Sequence, residues 1–322
     1  MHILVIQTAF IGDAILASSV LEALNNIEKV SSISLMVRKG NESLYKGHPF
    51  LKRLHILDKS LPKFKQISGM VKEIKAIKYD VVINLQRFMT TGILTARSGA
   101  KVKVGFSKNP MAWTFDHQVP HEIGDGRHEV ERNMDLLEPL FGKVYALPRL
   151  YPSKDDKNKA VWEGDYVCMA PSSVWFTKQW PEENWIELVK KIPSDKEVLL
   201  IGAPNDHELC EEIKNRSERG SITNLCGELS LLQSAALMQN ADMNYVNDSA
   251  PLHLCSAVNA PVTSFFCSTI PAFGFGPLST LSHIVETDRD LDCRPCGLHG
   301  KRSCPKGHFD CSKMNWEEIP IP

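Results

Sequence analysis

The sequence predicts an α/β protein made of two doubly wound, Rossmann-like domains that face a central cleft. Short β-branched apolar runs alternate with longer amphipathic stretches along the 322 residues, as in parallel sheets covered by helices on both faces. A Pro- and Lys-rich stretch interrupts this alternation near the middle of the chain, which indicates a linker. We therefore predict an N-terminal domain at 1–150, a linker at 151–165 and a C-terminal domain at 166–322.

The alternation assigns each element in order. In the first half, the predicted strands are Ile3–Gln7, Ser32–Val37, Arg53–Leu57, Asp80–Leu85 and Lys101–Phe106. The predicted helices of that half are Asp13–Asn25, Lys63–Lys78, Thr90–Ser98 and Glu129–Leu140. In the second half, the predicted strands are Tyr166–Ala170, Glu197–Gly202, Ile222–Leu225, Met243–Val246, Pro261–Phe266 and His283–Glu286. The predicted helices there are Pro181–Ile192, Asp206–Arg219, Ser230–Gln239 and Ala250–Val258.

Composition indicates a water-soluble globular protein, because 43% of the residues are hydrophobic and 23% are charged. No apolar run approaches the roughly 20 residues that a membrane span needs, and the amino terminus lacks the basic segment of a signal peptide. The sequence therefore predicts a cytoplasmic protein. Basic residues are in excess in the first half and acidic residues in the remainder, which favours an anionic partner for the first half.

The stretch ILVIQTAFIGDAILASSVLEAL places Asp13 where the first strand passes into the first helix. Free backbone N–H groups and the helix dipole stabilise a carboxylate there, so capping the helix would be a sufficient role. The junction has one glycine where a dinucleotide-binding loop has three, which disfavours a nicotinamide cofactor. The functional interpretation is a general base directed into the cleft.

A first loop of the second half suggests a phosphate site. The stretch APSSVWFTKQWPEENW presents Ser172, Ser173, Thr177 and Lys178 before a helix that starts at Pro181. Hydroxyls, a lysine and a helix N-terminus suit a pyrophosphate. The alternative for the lysine is a solvated position on the loop.

A second loop has similar features. The stretch NYVNDSAPLHLCSAV places Asp248 and Ser249 before a helix that carries His253. The first two residues could cap the helix or bind phosphate. The histidine could contact a ligand or be a buried core residue.

The tail CRPCGLHGKRSCPKGHFDC carries four clustered cysteines: Cys293, Cys296, Cys304 and Cys311. In a cytoplasmic protein such a cluster suggests a structural zinc site more than disulfides. The spacing of the last two cysteines is irregular, so free thiols are the alternative.

Together these stretches resemble glycosyltransferase family 9, the heptosyltransferases of the bacterial lipopolysaccharide inner core. The resemblance covers nearly the whole chain and rests on the opening stretch, on YDVVINLQ, GAKVKVGF and HEVERNMDLL, and on APSSVWFTKQWP and NDSAPLHLCSAVNAPVTSFF. It implies a GT-B fold and a metal-independent, inverting transfer. Heptose would pass from ADP-heptose, or a related nucleotide sugar, to a hydroxyl of Kdo- or heptosyl-lipid A.

The resemblance also implies roles for individual residues. Asp13 would be the general base, with the helix N-terminus helping to keep it ionised, and Lys178 would stabilise the departing ADP as a second catalytic group. The expected nucleotide-sugar contacts are Ser172, Ser173, Thr177, Leu229, Asp248, Ser249, Ala250, Leu252 and His253. The expected contacts to a phosphorylated lipid A-core acceptor are Arg87, Arg97, Lys101 and Lys103. The protein would be a monomer, peripheral at the inner face of the inner membrane, without nucleic acid or a catalytic cofactor.

Two alternative functions are open at this level. A nucleotide-sugar epimerase of GT-B architecture would need further acid or base groups in the cleft, and the sequence indicates one base. A non-catalytic nucleotide-sugar or carbohydrate-binding protein would not need both Asp13 and Lys178. Pro251, which lacks an N–H group, and Ser172, where relatives often have glycine, depart from the family pattern and leave the nucleotide sugar undetermined.

Overall fold

The computed structural model describes residues 1–322 and divides the chain into two compact units, Met1–Tyr151 and Pro152–Pro322. Each unit contains one sheet of six strands, and all strand pairs in both sheets are parallel. The predicted α/β class with two doubly wound sheets is confirmed. None of the helices has the length and apolar character that crossing a bilayer requires.

The first unit winds in both directions from its first strand. Its strands are β1 (His2–Ile6), β2 (Ser32–Arg38), β3 (Leu51–Leu57), β4 (Val81–Asn84), β5 (Val102–Phe106) and β6 (His117–Val119). Its helices are α1 (Ile11–Leu16), α2 (Ser18–Asn25), α3 (Lys63–Ile77), α4 (Met89–Ala96), α5 (Glu129–Asp135) and α6 (Glu138–Phe141). The sheet order is β3-β2-β1-β4-β5-β6. The order reverses between β1 and β4, which is where ligands of such sheets bind.

The first helical segment differs from its prediction. The predicted single helix is divided at Ala17 into α1 and α2. The hydroxyls of Ser18 and Ser19 donate back to the carbonyls of the preceding turn, at 2.6 and 2.7 Å, and thus compete with the helical hydrogen bonds. Phe10 is the N-cap residue of α1, and Asp13 lies inside the first turn. Asp13 is therefore not the N-cap residue, although backbone groups at Asp13 and Phe10 hydrogen-bond its carboxylate.

The second unit repeats the arrangement. Its strands are β7 (Tyr166–Ala170), β8 (Glu197–Leu200), β9 (Ile222–Asn224), β10 (Met243–Asn247), β11 (Val262–Phe266) and β12 (Ser282–Glu286). Its helices are α7 (Lys154–Lys159), α8 (Glu182–Lys191), α9 (His207–Ser217), α10 (Leu231–Asn240) and α11 (Ala250–Val258). The order is β12-β11-β10-β7-β8-β9, so the reversal lies between β7 and β10. The segment predicted as a linker contains α7, which packs against α10.

Short 3₁₀ helices complete the secondary structure. They span Glu42–Tyr45, Ala112–Thr114, Phe176–Lys178, Pro204–Asp206, Pro271–Phe273, Asp310–Ser312 and Trp316–Glu318.

The last residues of the second unit belong to its core. Trp180 stacks on Phe265 with 4.2 Å between ring centroids, and its indole N–H donates to the carbonyl of Ser312 at 3.1 Å. The Tyr245 hydroxyl donates to the carbonyl of Pro320 at 2.7 Å. Residues beyond position 309 therefore complete the packing around the central strands.

Candidate active site

The loop after β1 is held by polar side chains from other elements. Gln7 accepts a hydrogen bond from the N–H of Ala9 at 3.1 Å. The Asn41 amide donates to the carbonyl of Ala9 at 3.1 Å, and the Lys59 ammonium donates to that of Thr8 at 2.6 Å. These contacts set where α1 begins and which way its first turn faces.

Asp13 lies in that first turn, directly beyond the carboxyl end of β1. Burial disfavours the charged carboxylate and is the main reason that its pKa is raised to about 6. The nearby Glu129 raises the pKa further, whereas backbone hydrogen bonds at the start of α1 and the Arg87 guanidinium lower it. The backbone groups at the start of α1 thus favour the ionised carboxylate, but burial outweighs them. Asp13 is still mostly ionised at neutral pH and is a stronger base than an exposed aspartate.

Glu129 is a charged group near this site that sequence reasoning missed. Its carboxylate oxygens both lie 3.1 Å from His121 Nε2, and Arg132 Nε donates to one of them at 2.9 Å. All three residues are buried. Burial alone would raise the pKa of Glu129, but the hydrogen bonds from His121 and Arg132 hold it below its usual value. A fixed negative charge thus faces Asp13.

The four predicted acceptor contacts do not come together. Arg87 follows β4 at the same edge of the sheet as Asp13 and interacts with it electrostatically. Lys101 and Lys103 lie at the start of β5, near the opposite edge, and each forms an ion pair with an aspartate, at 2.7 and 3.2 Å. Arg97 follows the end of α4 and has an exposed side chain.

In the second unit, three loops meet at the point where the strand order reverses. Lys178 Nζ lies 2.7 Å from Asp248 Oδ2, and the two side chains are 16% and 6% exposed. The Thr269 hydroxyl donates to the same oxygen at 2.6 Å. These residues follow β7, β10 and β11, which are adjacent in the sheet. The fold therefore places a partly available cation beside a buried carboxylate, one oxygen of which contacts both Lys178 and Thr269.

Thr177 has a structural role that the sequence did not indicate. It is buried, and its hydroxyl accepts hydrogen bonds from Ser268 Oγ at 2.9 Å and from the N–H of Lys301 at 2.7 Å. A Cβ atom on Gly300 would lie 2.7 Å from Cγ of Lys178, so a side chain does not fit there. The tail thus packs directly on the loop that carries the lysine.

Ser172 also makes an internal contact. Its hydroxyl donates to Asp206 Oδ1 at 2.6 Å, and the other oxygen of that carboxylate accepts from the N–H of Ala203 at 2.7 Å. The neighbouring Ser173 is partly buried, and its carbonyl accepts from Gln179 at 2.5 Å. The hydroxyl of Ser172 is therefore engaged with the loop after β8.

The start of α11 has the bounds that the sequence predicts, with Ser249 as N-cap. The N–H of Leu252 donates to the Ser249 carbonyl at 3.1 Å, so the expected phosphate contact through this group is wrong. Of the three expected backbone donors, those of Ser249 and Ala250 remain for a phosphate. His253 is buried on the same helix. Leu229 is partly buried, just before the capping box that opens α10.

Comparison with known proteins assigns the chain. Residues 67–304 match glycosyltransferase family 9 (heptosyltransferase). The chain belongs to this family. It is 26% identical over 283 residues to lipopolysaccharide heptosyltransferase 3 of Escherichia coli K12, with 81% of each chain covered.

Two solved structures have similar folds. One is a family 9 glycosyltransferase from Veillonella parvula, with a TM-score of 0.80, 21% identity and coverage of 89% of this chain and 86% of that chain. The other is the ADP-heptose lps heptosyltransferase II of E. coli, with a TM-score of 0.74, 20% identity and coverage of 92% and 96%. The protein is thus a glycosyltransferase of GT-B fold.

The tail of this glycosyltransferase brings its four cysteines near one another. Cys311 is buried, and burial is the main cause that raises the pKa of its thiol. The other three thiols raise that pKa further. Cys293 Sγ lies 3.8 Å from His308 Nε2. Burial would raise the pKa of Cys304, but backbone N–H groups at 306–309 hold it below its usual value. No group of three or more His, Cys, Asp or Glu side chains is arranged so that it could hold a metal ion, so the residues as placed do not form a zinc site.

Proposed function

We propose that this glycosyltransferase transfers heptose from ADP-heptose to a hydroxyl of the lipopolysaccharide inner core, on Kdo- or heptosyl-lipid A. The observation that carries the proposal is Asp13, a partly buried carboxylate with a pKa raised to about 6, at the strand-order reversal of the first sheet. Family membership and the names of the E. coli relatives support the sugar and the acceptor class.

The chemistry follows from the residues at the two strand-order reversals. The acceptor hydroxyl gives its proton to Asp13 while its oxygen attacks the anomeric carbon of the donor. The bond from that carbon to the diphosphate breaks, and its electron pair leaves with ADP. A single displacement of this kind inverts the anomeric centre. Lys178 and the N–H groups at the start of α11 stabilise the charge that develops on the diphosphate.

The ion pair of Lys178 with Asp248 has a place in this cycle. A diphosphate can bind the Lys178 ammonium group at the same time as Asp248 does, because an ammonium group can donate three hydrogen bonds. Asp248 then accepts hydrogen bonds from sugar hydroxyls while Thr269 continues to hold one of its oxygens. Binding of the nucleotide sugar and the hydrogen bonding of Asp248 are therefore linked.

We propose that the acceptor is an anionic lipid, that the enzyme binds peripherally at the inner face of the inner membrane, and that it acts as a monomer. Arg87 is the acceptor contact best placed beside Asp13, since its charge lowers the pKa of that group. Lys101 and Lys103 are engaged with aspartates and are weaker candidates. The cysteine cluster has no step in this chemistry, and metal analysis of the purified protein tests the zinc prediction directly.

The decisive experiment measures release of the nucleoside diphosphate, ADP from ADP-heptose or ADP-glucose and UDP from UDP-glucose, each donor being combined with truncated lipid A-core acceptors. Release that requires both ADP-heptose and a heptose- or Kdo-terminated acceptor is the expected result. Release that is equally fast without acceptor, or that requires another nucleotide sugar, contradicts the proposed substrates.

A further inference from the structure

Helix α3 buries one apolar face, and a flank beside that face stays partly exposed. Met70 and Ile74 are buried against the sheet of the first unit. Phe64, Ile67 and Val71, spaced three and four residues apart, follow each other along the flank of the helix. Ile67 and Val71 pack against the edge of that core and keep part of their surface exposed, whereas Phe64 lies in solvent. A large apolar side chain exposed at the end of such a row indicates a surface with a partner.

This flank is one wall of a groove with a volume of about 780 Å³, within the roughly 300–1,000 Å³ range of ligand sites. The opposite wall is formed by α4, and the turn before the 3₁₀ helix Ala112–Thr114 closes one side. The groove residues are Phe64, Ile67, Ser68, Val71, Lys72, Lys75, Ile93, Ala96, Arg97 and Met111. Met111 lies directly on α4 because Gly92 has no side chain, and a Cβ there would lie 2.9 Å from Met111 Cβ.

The groove combines an apolar floor with unpaired positive charge. Its basic residues Lys72, Lys75 and Arg97 form no salt bridge, in contrast to Lys101 nearby, which pairs with an aspartate at 2.7 Å. The carboxylate of Glu73, the one acidic residue of α3, is bound by His55 at 2.6 Å. The groove therefore selects for a ligand with a long apolar part and an anionic head.

Large side chains at the groove are unusually exposed. Phe64 is 84% exposed, and Trp113, two residues beyond Met111, is 77% exposed. Exposed aromatic residues beside basic ones are typical of proteins that lie on an anionic bilayer. A second copy of the chain is a poorer occupant, because α3 carries four lysines against one glutamate and two such faces would repel each other.

We propose that this groove binds an anionic phospholipid of the bilayer, with an acyl chain between α3 and α4 and the phosphate against Lys72, Lys75 and Arg97. The inference rests on the proposed membrane association and deepens it by naming the lipid class and the binding residues. It attaches the first unit to the membrane through a site separate from Asp13.

The test compares binding to three kinds of vesicle without nucleotide sugar: phosphatidylethanolamine with phosphatidylglycerol, phosphatidylcholine alone, and phosphatidylcholine doped with lipid A. The wild type should bind the anionic vesicles preferentially. Lys72→Gln with Lys75→Gln should weaken binding about 25-fold, at about fivefold per basic residue. Phe64→Ser should weaken binding at unchanged charge. The matched controls are Lys46→Gln with Lys52→Gln and Val161→Ser, which change exposed residues outside the groove.

Thermal unfolding of each variant checks that it is folded. Phospholipids brominated in the acyl chain should quench tryptophan fluorescence in the wild type but not in the double lysine variant, and the part of the quenching that Trp113→Phe abolishes is that of Trp113, one of six tryptophans. Failure to bind any vesicle overturns the proposed membrane association. Vesicle binding that is equally weakened in the groove and control variants shows that overall charge acts instead of the groove and overturns the inference. Binding restricted to phosphatidylcholine vesicles doped with lipid A assigns the groove to the acceptor and overturns the phospholipid assignment.

Discussion

Lys178 and Asp248 lie on different loops of the second unit, yet their side chains form an ion pair with 2.7 Å between Nζ and Oδ2. The carboxylate is almost fully buried, and the lysine keeps part of its surface exposed. A bound diphosphate can therefore reach the ammonium group without first breaking the ion pair.

Lys178→Ala is expected to weaken ADP binding about tenfold to a hundredfold, because one charge-assisted hydrogen bond contributes about 1.5–3 kcal/mol. Titration calorimetry with ADP measures the change. Lys190→Ala is the matched control, since that lysine pairs with Glu187 on the exposed face of α8. Equal ADP affinities of wild type and Lys178→Ala would remove the lysine from the phosphate site.

Asp13→Asn is expected to reduce transfer by about 10²–10⁴-fold while the affinity for ADP stays the same, because the amide cannot accept the proton. In the wild type, kcat/KM should fall about tenfold per pH unit below pH 6, as the carboxylate is protonated there. Steady-state kinetics between pH 5 and 8 give both results. A flat profile, or an active amide variant, would exclude this residue as the base.

Asp13→Asn is also expected to stabilise the folded protein at pH 7. The pKa of Asp13 is raised from 3.8 to about 6, so the folded state binds the proton more tightly than the unfolded state, and stability falls as pH rises through that interval. The free energy of unfolding should increase by about 3 kcal/mol in Asp13→Asn above pH 6, since each unit is worth about 1.4 kcal/mol. Urea unfolding should show a large difference in the free energy of unfolding between Asp13→Asn and the wild type at pH 7.5, and a small one at pH 4. A larger difference at pH 4 than at pH 7.5 would contradict the raised pKa of Asp13.

Glu129→Gln is expected to move the acidic limb of the activity profile to lower pH. Its negative charge raises the pKa of Asp13, and the amide removes that charge. The variant should also lose about 3–5 kcal/mol of stability, because a buried ion pair with Arg132 is broken. Asp135→Asn, which removes the exposed partner of Arg127, should leave the limb in place. An unshifted limb in the folded Glu129→Gln enzyme would show that the two carboxylates act independently.

Gly300→Ala is expected to weaken ADP binding through the tail. The added methyl would lie 2.6 Å from Trp175 Cβ and 2.7 Å from Lys178 Cγ, so the loop carrying the lysine must shift. Overpacking of this kind costs about 1–3 kcal/mol of stability. Calorimetry and thermal unfolding measure the two effects, and Gly220→Ala, where the methyl meets open space, is the control. Unchanged ADP binding would show that the packing of the tail on the lysine loop does not affect the ADP site.

Sequence patterns were sufficient for most of the fold because the central strands are buried on both faces and therefore read as apolar runs. The sequence did not predict strand β6, because its three residues, His-Gln-Val, contain no such apolar run. The sequence did not predict the break between α1 and α2, because the break depends on which carbonyls the hydroxyls of Ser18 and Ser19 bond.

At the site, the sequence indicates which loops carry chemistry but not which side chains meet. Lys178 and Asp248 could be named separately, since each follows a strand. Their pairing depends on the sheet order, which no local pattern encodes. Glu129 is one of several acidic residues in its helix, and the tertiary fold alone distinguishes it. Thr177 was predicted to hold a diphosphate, whereas its hydroxyl already accepts two hydrogen bonds.

The contacts of Ser312 and Pro320 with Trp180 and Tyr245 have a consequence for biogenesis. On the ribosome, the first unit can finish folding while the second is still being synthesised. The second cannot close around its central strands until position 320 has left the exit tunnel. The proposed nucleotide-sugar binding should therefore follow the folding of the first unit.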